Sequence, residues 1–508
     1  MITILDTTLR DGEQTSGVSF SPQEKLSIAQ ALIGELGVDR LEVASARVSD
    51  GELESVSRMV AWAERAGFLD RLEVLGFVDG GESVRWIAQT GCKVMNLLCK
   101  GSYKHVTEQL RRTPEQHFSE IKETIQQATE AGLVVNIYLE DWSNGMQCSP
   151  EYVYQMVDML KDEAVHRFML PDTLGVLNPT STSQYCRDML NRYPTCLFDF
   201  HAHNDYDLAV ANVYAALQVG ITCVHATING LGERAGNVPL SSVLAVIKDQ
   251  LGMETNLCEQ KINHVSRLVE TFSGVHISTN KPVIGEHVFT QCAGIHADGD
   301  NKNNLYYNAL IPERFGRVRE YALGKNSGRA NIRKNLEELG MDMDEASMKK
   351  ITDRIIELGE KKEVLTQADL PYIVSDVLHQ DTLADQPIRI QNYALSLAQG
   401  LKPMATLKLE IGGVAYEASA SGDGQYDAFM RALRSIYADL DKPFPMLTNY
   451  SVSIPPGGRT DAFVQTIISW RYDGEDFKTK GLDGDQTEAA IKATIKMLNK
   501  IERSTGRM

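Results

Sequence analysis

Residues 198–212 read FDFHAHNDYDLAVAN. Phe198 and Phe200 alternate with other residues as in a strand, and the alternation stops at two histidines, His201 and His203. Three acids and two asparagines crowd the same stretch. Residues two apart on a strand face the same way, so both imidazoles project together where the strand runs out. A pair of metal ligands would fit that pattern, and so would two hydrogen-bonded polar histidines. The choice depends on what else ends at the same place.

Working outward, short β-rich runs alternate with amphipathic helical stretches from the N-terminus to Asn229. The runs are ITILDTT from Ile2, RLEVAS from Arg40, LEVLGFV from Leu72 and KVMNLL from Lys93. LVVNIYLE from Leu133, RFMLPDT from Arg167, CLFDFHAH from Cys196 and TCVHATIN from Thr222 complete the series. A segment such as SPQEKLSIAQALIGELGV opens with a Ser-x-x-Glu capping box and continues with helical period. Evenly spaced βα units predict a closed (β/α)8 TIM barrel, with an open doubly wound sheet as the alternative.

Polar residues recur at the ends of these runs. Arg10 and Asp11 follow the first, Glu42 sits late in the second, and Glu140 and Asp141 end the fifth. Asp172 and Thr173 end the sixth, His201 and His203 the seventh, and Asn229 the eighth. Barrel enzymes assemble their sites at this carboxyl face, and wet strand ends alone would not select arginine, glutamate and paired histidine together. Asp11, on the strand that closes the barrel, is the natural carboxylate to join the two imidazoles, and such a set leaves coordination positions open on a divalent metal. NGLGERAGN, residues 229–237, lacks the G-x-G-x-x-G spacing of a dinucleotide turn and is read as a tight loop presenting Glu233 and Asn237 towards the metal. Arg10 suits a substrate carboxylate, and Glu42 could orient it.

Composition limits the partners. The chain has 508 residues and a formal charge of -17, which disfavours nucleic acid and membrane surfaces. No apolar run approaches a membrane span, and MITILDTTLRDGEQ reads as a strand rather than a signal peptide. Eight cysteines form no CxxC pair, so reduced thiols and a cytoplasmic location are expected.

Three segments are expected: a catalytic barrel over 1–298, helical linker subdomains over 299–390 that contribute to the active site, and a small α+β domain over 391–508. The last shows hairpins followed by helices, twice. ATLKLEIGGVAYEASA turns at Gly412-Gly413 and TDAFVQTIISWRYDGEDFKTKG turns at Asp473-Gly474. This duplicated ββα pattern carries no catalytic cluster and suits ligand binding or dimerisation.

LDTTLRDGEQ, LEVASARVS, HAHNDYDLAVAN, NGLGERAGN and FTQCAGIHADG together resemble the DRE-TIM metallolyase superfamily, and within it the acetyl-CoA condensing synthases that form 2-isopropylmalate, homocitrate or citramalate. The resemblance covers essentially the whole chain. GFVDG, NLLCKGS, NIYLEDWSNG, LPDTLGVL and IPERFGR are most similar to the citramalate-forming members. It implies that acetyl-CoA and pyruvate are the substrates, and that a divalent metal (Zn, Mn or Mg) is held by Asp11, His201, His203 and Asn237. Arg10 and Thr173 would hold the pyruvate carboxylate, with Glu42 behind Arg10. Glu140 and His296 would handle protons, and Asn304 and Tyr306 would lie over acetyl-CoA. Leu75, Leu98 and Tyr138 would form the pocket for the methyl group, and Cys99 stands beside it where a threonine is expected. The last domain is similar to a regulatory module, with isoleucine as the implied effector at Tyr426, Asp427, Leu447, Tyr450, Ile454, Thr460 and Val464, in a homodimer. The competing readings are a 2-isopropylmalate synthase using 2-ketoisovalerate, a metal-dependent aldolase or lyase, and a catalytically silent amino-acid sensor.

Overall fold

The structure, a computed structural model, describes residues 1–291, 308–325, 327–360, 365, 370, 373–374, 388–453, 464–483 and 485–505. Residues 1–290 and 308–320 form one compact unit, and the described residues from 321 onward belong to a second.

The first unit is a closed parallel barrel of eight strands in sequential order. They are β1 (Thr3–Asp6), β2 (Arg40–Ser45), β3 (Leu72–Phe77), β4 (Val94–Lys100), β5 (Val134–Glu140), β6 (Val165–Asp172), β7 (Phe198–Ala202) and β8 (Cys223–Ala226). The open-sheet alternative is excluded because β8 pairs with β1, Leu5 opposite His225. Helices begin where capping chemistry allows. Ser21 and Glu24 cap the helix Pro22–Gln30 reciprocally, and Thr113 with Gln116 does the same for Pro114–Glu130. In each case Pro occupies the first turn, where its missing N–H costs nothing.

Outward-facing strand residues such as Val43, Val74 and Leu97 join the helices in one large apolar core. The inward face differs. Leu5, Leu75, Tyr138 and Met169 form a small separate apolar cluster, with Phe77 and Leu98 packed on it. Period two also places Arg40 and Glu42, Glu73 and Leu75, Asn96 and Leu98, and Asn136 and Tyr138 on the same faces. The barrel is therefore lined by charge and amide as well as by hydrocarbon. IPERFGR forms a short turn over Pro312–Phe315. Arg314 anchors it with Nε 2.7 Å from Glu259 Oε2 and Nη1 2.7 Å from Asp249 Oδ1.

In the second unit, helices Arg329–Glu338 and Glu345–Glu360 pack through Ile332, Leu336, Ile351 and Ile355. Two three-stranded antiparallel sheets follow. The hairpins turn at Gly412-Gly413 (φ 57 and 84) and Asp473-Gly474 (φ 50 and 81), as their composition predicts. Each hairpin is also preceded by a third strand, Ile388–Ser396 and Met446–Ser453, so the repeat is βββα. The helices Gln425–Asp439 and Gln486–Thr505 bury Phe429, Leu433, Ile491 and Leu498 in one core with Leu407, Leu409 and Trp470 of the sheets.

Candidate active site

At the carboxyl end of the barrel, Arg10, Asp11, Leu75, Phe77, Leu98, Tyr138, Glu140, Thr173, His201, His203 and Glu233 line one cleft, of about 220 Å3. His201 lies on β7 and His203 just beyond it, held by an isolated bridge to Asn237. Their Nε2 atoms are 3.3 and 3.7 Å from the same oxygen, Asp11 Oδ2. All three side chains are buried. Burial pushes the His203 imidazole down to about 4, despite Asp11, and pushes His201 down as well. Burial alone would raise the Asp11 carboxyl, but Arg10, His201 and His203 bring it well below the usual carboxylate range. The trio thus presents a carboxylate and two neutral imidazoles, the protonation states that metal ligation needs.

The fit to a cation can be tested on atoms. Ligand atoms about 2.0–2.2 Å from one ion lie roughly 3–3.5 Å apart, close to the spacings here. Beside these atoms, Asp11 Oδ1 and Asn237 Oδ1 are buried without a partner. Asn237 Nδ2 donates to Leu231 O at 3.3 Å, so its oxygen remains the acceptor it can offer. The residues fit a divalent ion.

Arg10 is held on three sides. Its Nε lies 2.6 Å from Glu42 Oε2, Nη1 3.3 Å from Asp11 Oδ2 and Nη2 3.4 Å from the Tyr138 hydroxyl. Glu42 is fully buried, does not line the cleft and lies behind Arg10. Thr7 Oγ1 and Asn96 Nδ2 donate to it at 2.8 Å each, and Asn136 Nδ2 donates to Asn96 at 2.8 Å. Burial would raise the Glu42 carboxyl, but the Arg10 charge and these donors keep it low. Thr173 Oγ1 accepts the Asp141 N–H at 2.9 Å, which leaves its own proton to be donated. Asp141 adopts a left-handed backbone (φ 66) and accepts from Ser102 Oγ at 2.7 Å and Asn144 Nδ2 at 2.8 Å. Glu140 pairs with Lys100 Nζ across the β4–β5 register. Glu233 lines the cleft and pairs with Arg234 at 3.1 Å.

Deeper in the barrel, Asp199, Cys223 and His225 also gather ligand-type atoms. Arg40 Nη1 already lies 2.6 Å from Asp199 Oδ2 and 3.3 Å from Cys223 Sγ. A guanidinium therefore stands where an ion would, and this cluster is an ion-pair network. Asn96, Asn136, Lys100 and His225 were not singled out from the sequence. Asn96, Asn136 and His225 are polar interruptions of apolar strands, a legible signal once the inward face is identified.

His296, Asn304 and Tyr306 lie outside the described residues, as do Ile454 and Thr460. In the last domain Tyr426 and Tyr450 come together, ring centroids 5.5 Å apart, and the Tyr426 hydroxyl is 2.7 Å from Thr494 Oγ1. Leu447 and Tyr450 pack on the core. Asp427 Oδ2 instead accepts the Asp423 N–H and Arg431 Nε, each at 2.9 Å. Val464 pairs with Asp483 at the start of its strand.

A closed (β/α)8 barrel with two imidazoles, a carboxylate and a guanidinium at its mouth defines the class, an enzyme barrel whose donor set fits a divalent ion. Residues 1–269 match the HMGL-like family, 283–363 the homocitrate synthase post-HMGL domain-like family and 364–502 the LeuA allosteric (dimerisation) domain. A Methanopyrus kandleri protein, provisionally named (R)-citramalate synthase, is 34% identical over 472 residues, 92% of this chain and 90% of that one. From Methanocaldococcus jannaschii, (R)-citramalate synthase is 31% identical over 98% of this chain and 99% of its own. The 2-isopropylmalate synthase of that organism is also 31% identical, over 98% and 94%. The chain belongs to the citramalate and 2-isopropylmalate synthase family, the acetyl-CoA-dependent acyltransferases that condense an acetyl group with a 2-oxo acid. No helix among the described residues is long and apolar enough to cross a membrane.

Proposed function

We propose that this enzyme joins acetyl-CoA to pyruvate and hydrolyses the thioester, giving (R)-citramalate and free CoA. The observation that carries this reading is the floor of the cleft. Leu75 and Tyr138 are 4% and 2% exposed, and Phe77 and Leu98 pack beside them, so the floor is a closed apolar surface that suits a small alkyl group such as a methyl. Arg10 and the Thr173 hydroxyl, on the same cleft, bind the 2-oxo acid's carboxylate. An ion held by Asp11, His201 and His203, with Asn237 as a fourth ligand, supplies Lewis-acid polarisation of the oxo group. Zn or Mn suits the imidazole and carboxylate donors better than Mg.

Glu140 and His296 are assigned to proton handling. A base takes a proton from the acetyl methyl, the methyl carbon bonds to the oxo carbon, and the new alkoxide oxygen receives a proton. Water then displaces CoA. Asn304 and Tyr306 belong to the segment assigned to acetyl-CoA. The division of labour follows: chemistry in 1–298, contributions to the site from 299–390, and control from 391–508. We assign isoleucine to Tyr426, Asp427, Leu447, Tyr450, Ile454, Thr460 and Val464, in a cytoplasmic homodimer.

The two M. jannaschii synthases match this chain at the same identity, so the substrate must be decided on the enzyme. CoA release is to be measured with pyruvate, 2-ketoisovalerate and 2-ketoglutarate, with and without chelator. Preference for pyruvate, abolished by chelation and restored by Zn or Mn, is expected. Preference for 2-ketoisovalerate would replace this reading with the 2-isopropylmalate one.

A further inference from the structure

The tyrosine on the cleft floor is not held by packing alone. Its hydroxyl lies 3.0 Å from His225 Nδ1, and His225 Nε2 lies 3.2 Å from Asp199 Oδ2. Both Asp199 oxygens are engaged by arginine, Arg40 Nη1 at 2.6 Å on one and Arg167 Nη1 at 2.9 Å on the other. Arg40 is itself fixed to Glu73 by bonds of 2.5 and 2.9 Å. Asp199, Tyr138 and His225 are all essentially buried.

These contacts determine where the protons sit. A carboxylate held by two guanidinium groups offers only lone pairs, so His225 Nε2 carries the hydrogen that points at it. His225 Nδ1 then holds a lone pair, and the single phenol proton of Tyr138 is donated to it. What Tyr138 presents to the cleft is a lone pair facing Arg10 Nη2 at 3.4 Å, and a ring that cannot swing about its Cα–Cβ bond without abandoning the bond to His225. The ring packs edge-on against His225, centroids 5.6 Å apart. A buried hydroxyl that loses its acceptor pays a desolvation cost, so the ring is pinned by polar chemistry at its hydroxyl end.

We infer that His225 is a specificity-determining positioning residue: through Tyr138 it holds the floor of the cleft at the depth that admits a methyl group and refuses a longer chain. This rests on the reading of the cleft as the 2-oxo acid site. His225 touches no substrate; it acts by keeping Tyr138 in place.

The test compares wild type, His225→Leu and His225→Asn, using kcat/KM for pyruvate and for 2-oxobutyrate. Asn places an acceptor oxygen near the position of Nδ1, and Leu does not. His225→Leu is expected to lower the pyruvate preference about tenfold, the scale of one methylene. The KM for acetyl-CoA and the bound metal, measured by elemental analysis, should stay at the wild-type level. His225→Asn is expected to restore most of the preference. An unchanged ratio in His225→Leu, or an equal fall in both variants, overturns the inference. If His225→Leu does not fold, Tyr138→Phe, which removes the phenol proton and oxygen alone, must show the same fall, and an unchanged ratio there overturns it equally. A wild-type enzyme that favours 2-ketoisovalerate would count against the substrate reading, and that result appears before any variant is made.

Discussion

Two groups of acids and imidazoles are buried inside one barrel, one at its mouth and one lower down. In the lower group, Glu73 and Asp199 have all four carboxylate oxygens engaged by Arg40 or Arg167. In the mouth, Asp11 Oδ1, His201 Nδ1, His203 Nδ1 and Asn237 Oδ1 have no partner. Buried polar groups are nearly always satisfied in folded proteins. The carboxylates of the lower group thus answer to the stability of the barrel, and the open carboxylate oxygen of the mouth to something it binds. Residue type does not separate them, since each holds aspartate and histidine. Only the state of their lone pairs does.

Substitutions can break that comparison. Asp11→Ala is expected to reduce turnover on the order of 10^3-fold and to abolish bound divalent metal by elemental analysis. Its thermal midpoint should stay the same or rise, because functional clusters are commonly held at the expense of stability. A large drop in Tm with metal retained would put the mouth in the structural class. Asp199→Ala should behave in the opposite way. It leaves Arg167 without its carboxylate partner and Arg40 with Glu73 alone, at a cost of about 3–5 kcal/mol in urea denaturation. Near-wild-type stability would sink the structural assignment of the lower group.

A smaller effect concerns acid. His117 lies in the helix Pro114–Glu130, and its Nε2 accepts the Lys100 backbone N–H at 3.2 Å, which only a nitrogen without its own proton can do. Burial, then the nearby Lys100 charge, pushes this imidazole from 6.5 to about 4. Below pH 6.5 the unfolded chain takes up a proton that the folded one refuses, so stability is full above that pH and falls towards about 4. Urea titrations across this window should show the decline, and His117→Gln should make it shallower, with the buried His201 and His203 supplying the remainder.

Much of this was legible in the chain. A strand ending in His201 and His203, and an opening strand followed by Arg10 and Asp11, place those side chains at one end of the barrel as soon as the strands are parallel and the sheet closes through β8. The hairpin turns were legible too, because Gly-Gly and Asp-Gly supply the positive φ that tight turns need. The third strand of each sheet was not. Met446–Ser453 is mostly exposed and polar, with no apolar stripe to mark it, and its pairing with Val464–Tyr472 comes from the sheet. Lys100 beside Glu140 depends on the register of two strands, which local pattern does not encode.

The order of the elements, the polar strand ends and the residues available for chemistry follow from the sequence itself, because period, caps and turn residues act over a few positions. Whether a buried charge is matched or left waiting was decided only by the closed barrel. Arg40 and Asp199 stand 159 positions apart in the chain, and only closure of the sheet lets two guanidinium groups occupy both oxygens of Asp199 while Asp11, beside Arg10, keeps one oxygen without a partner.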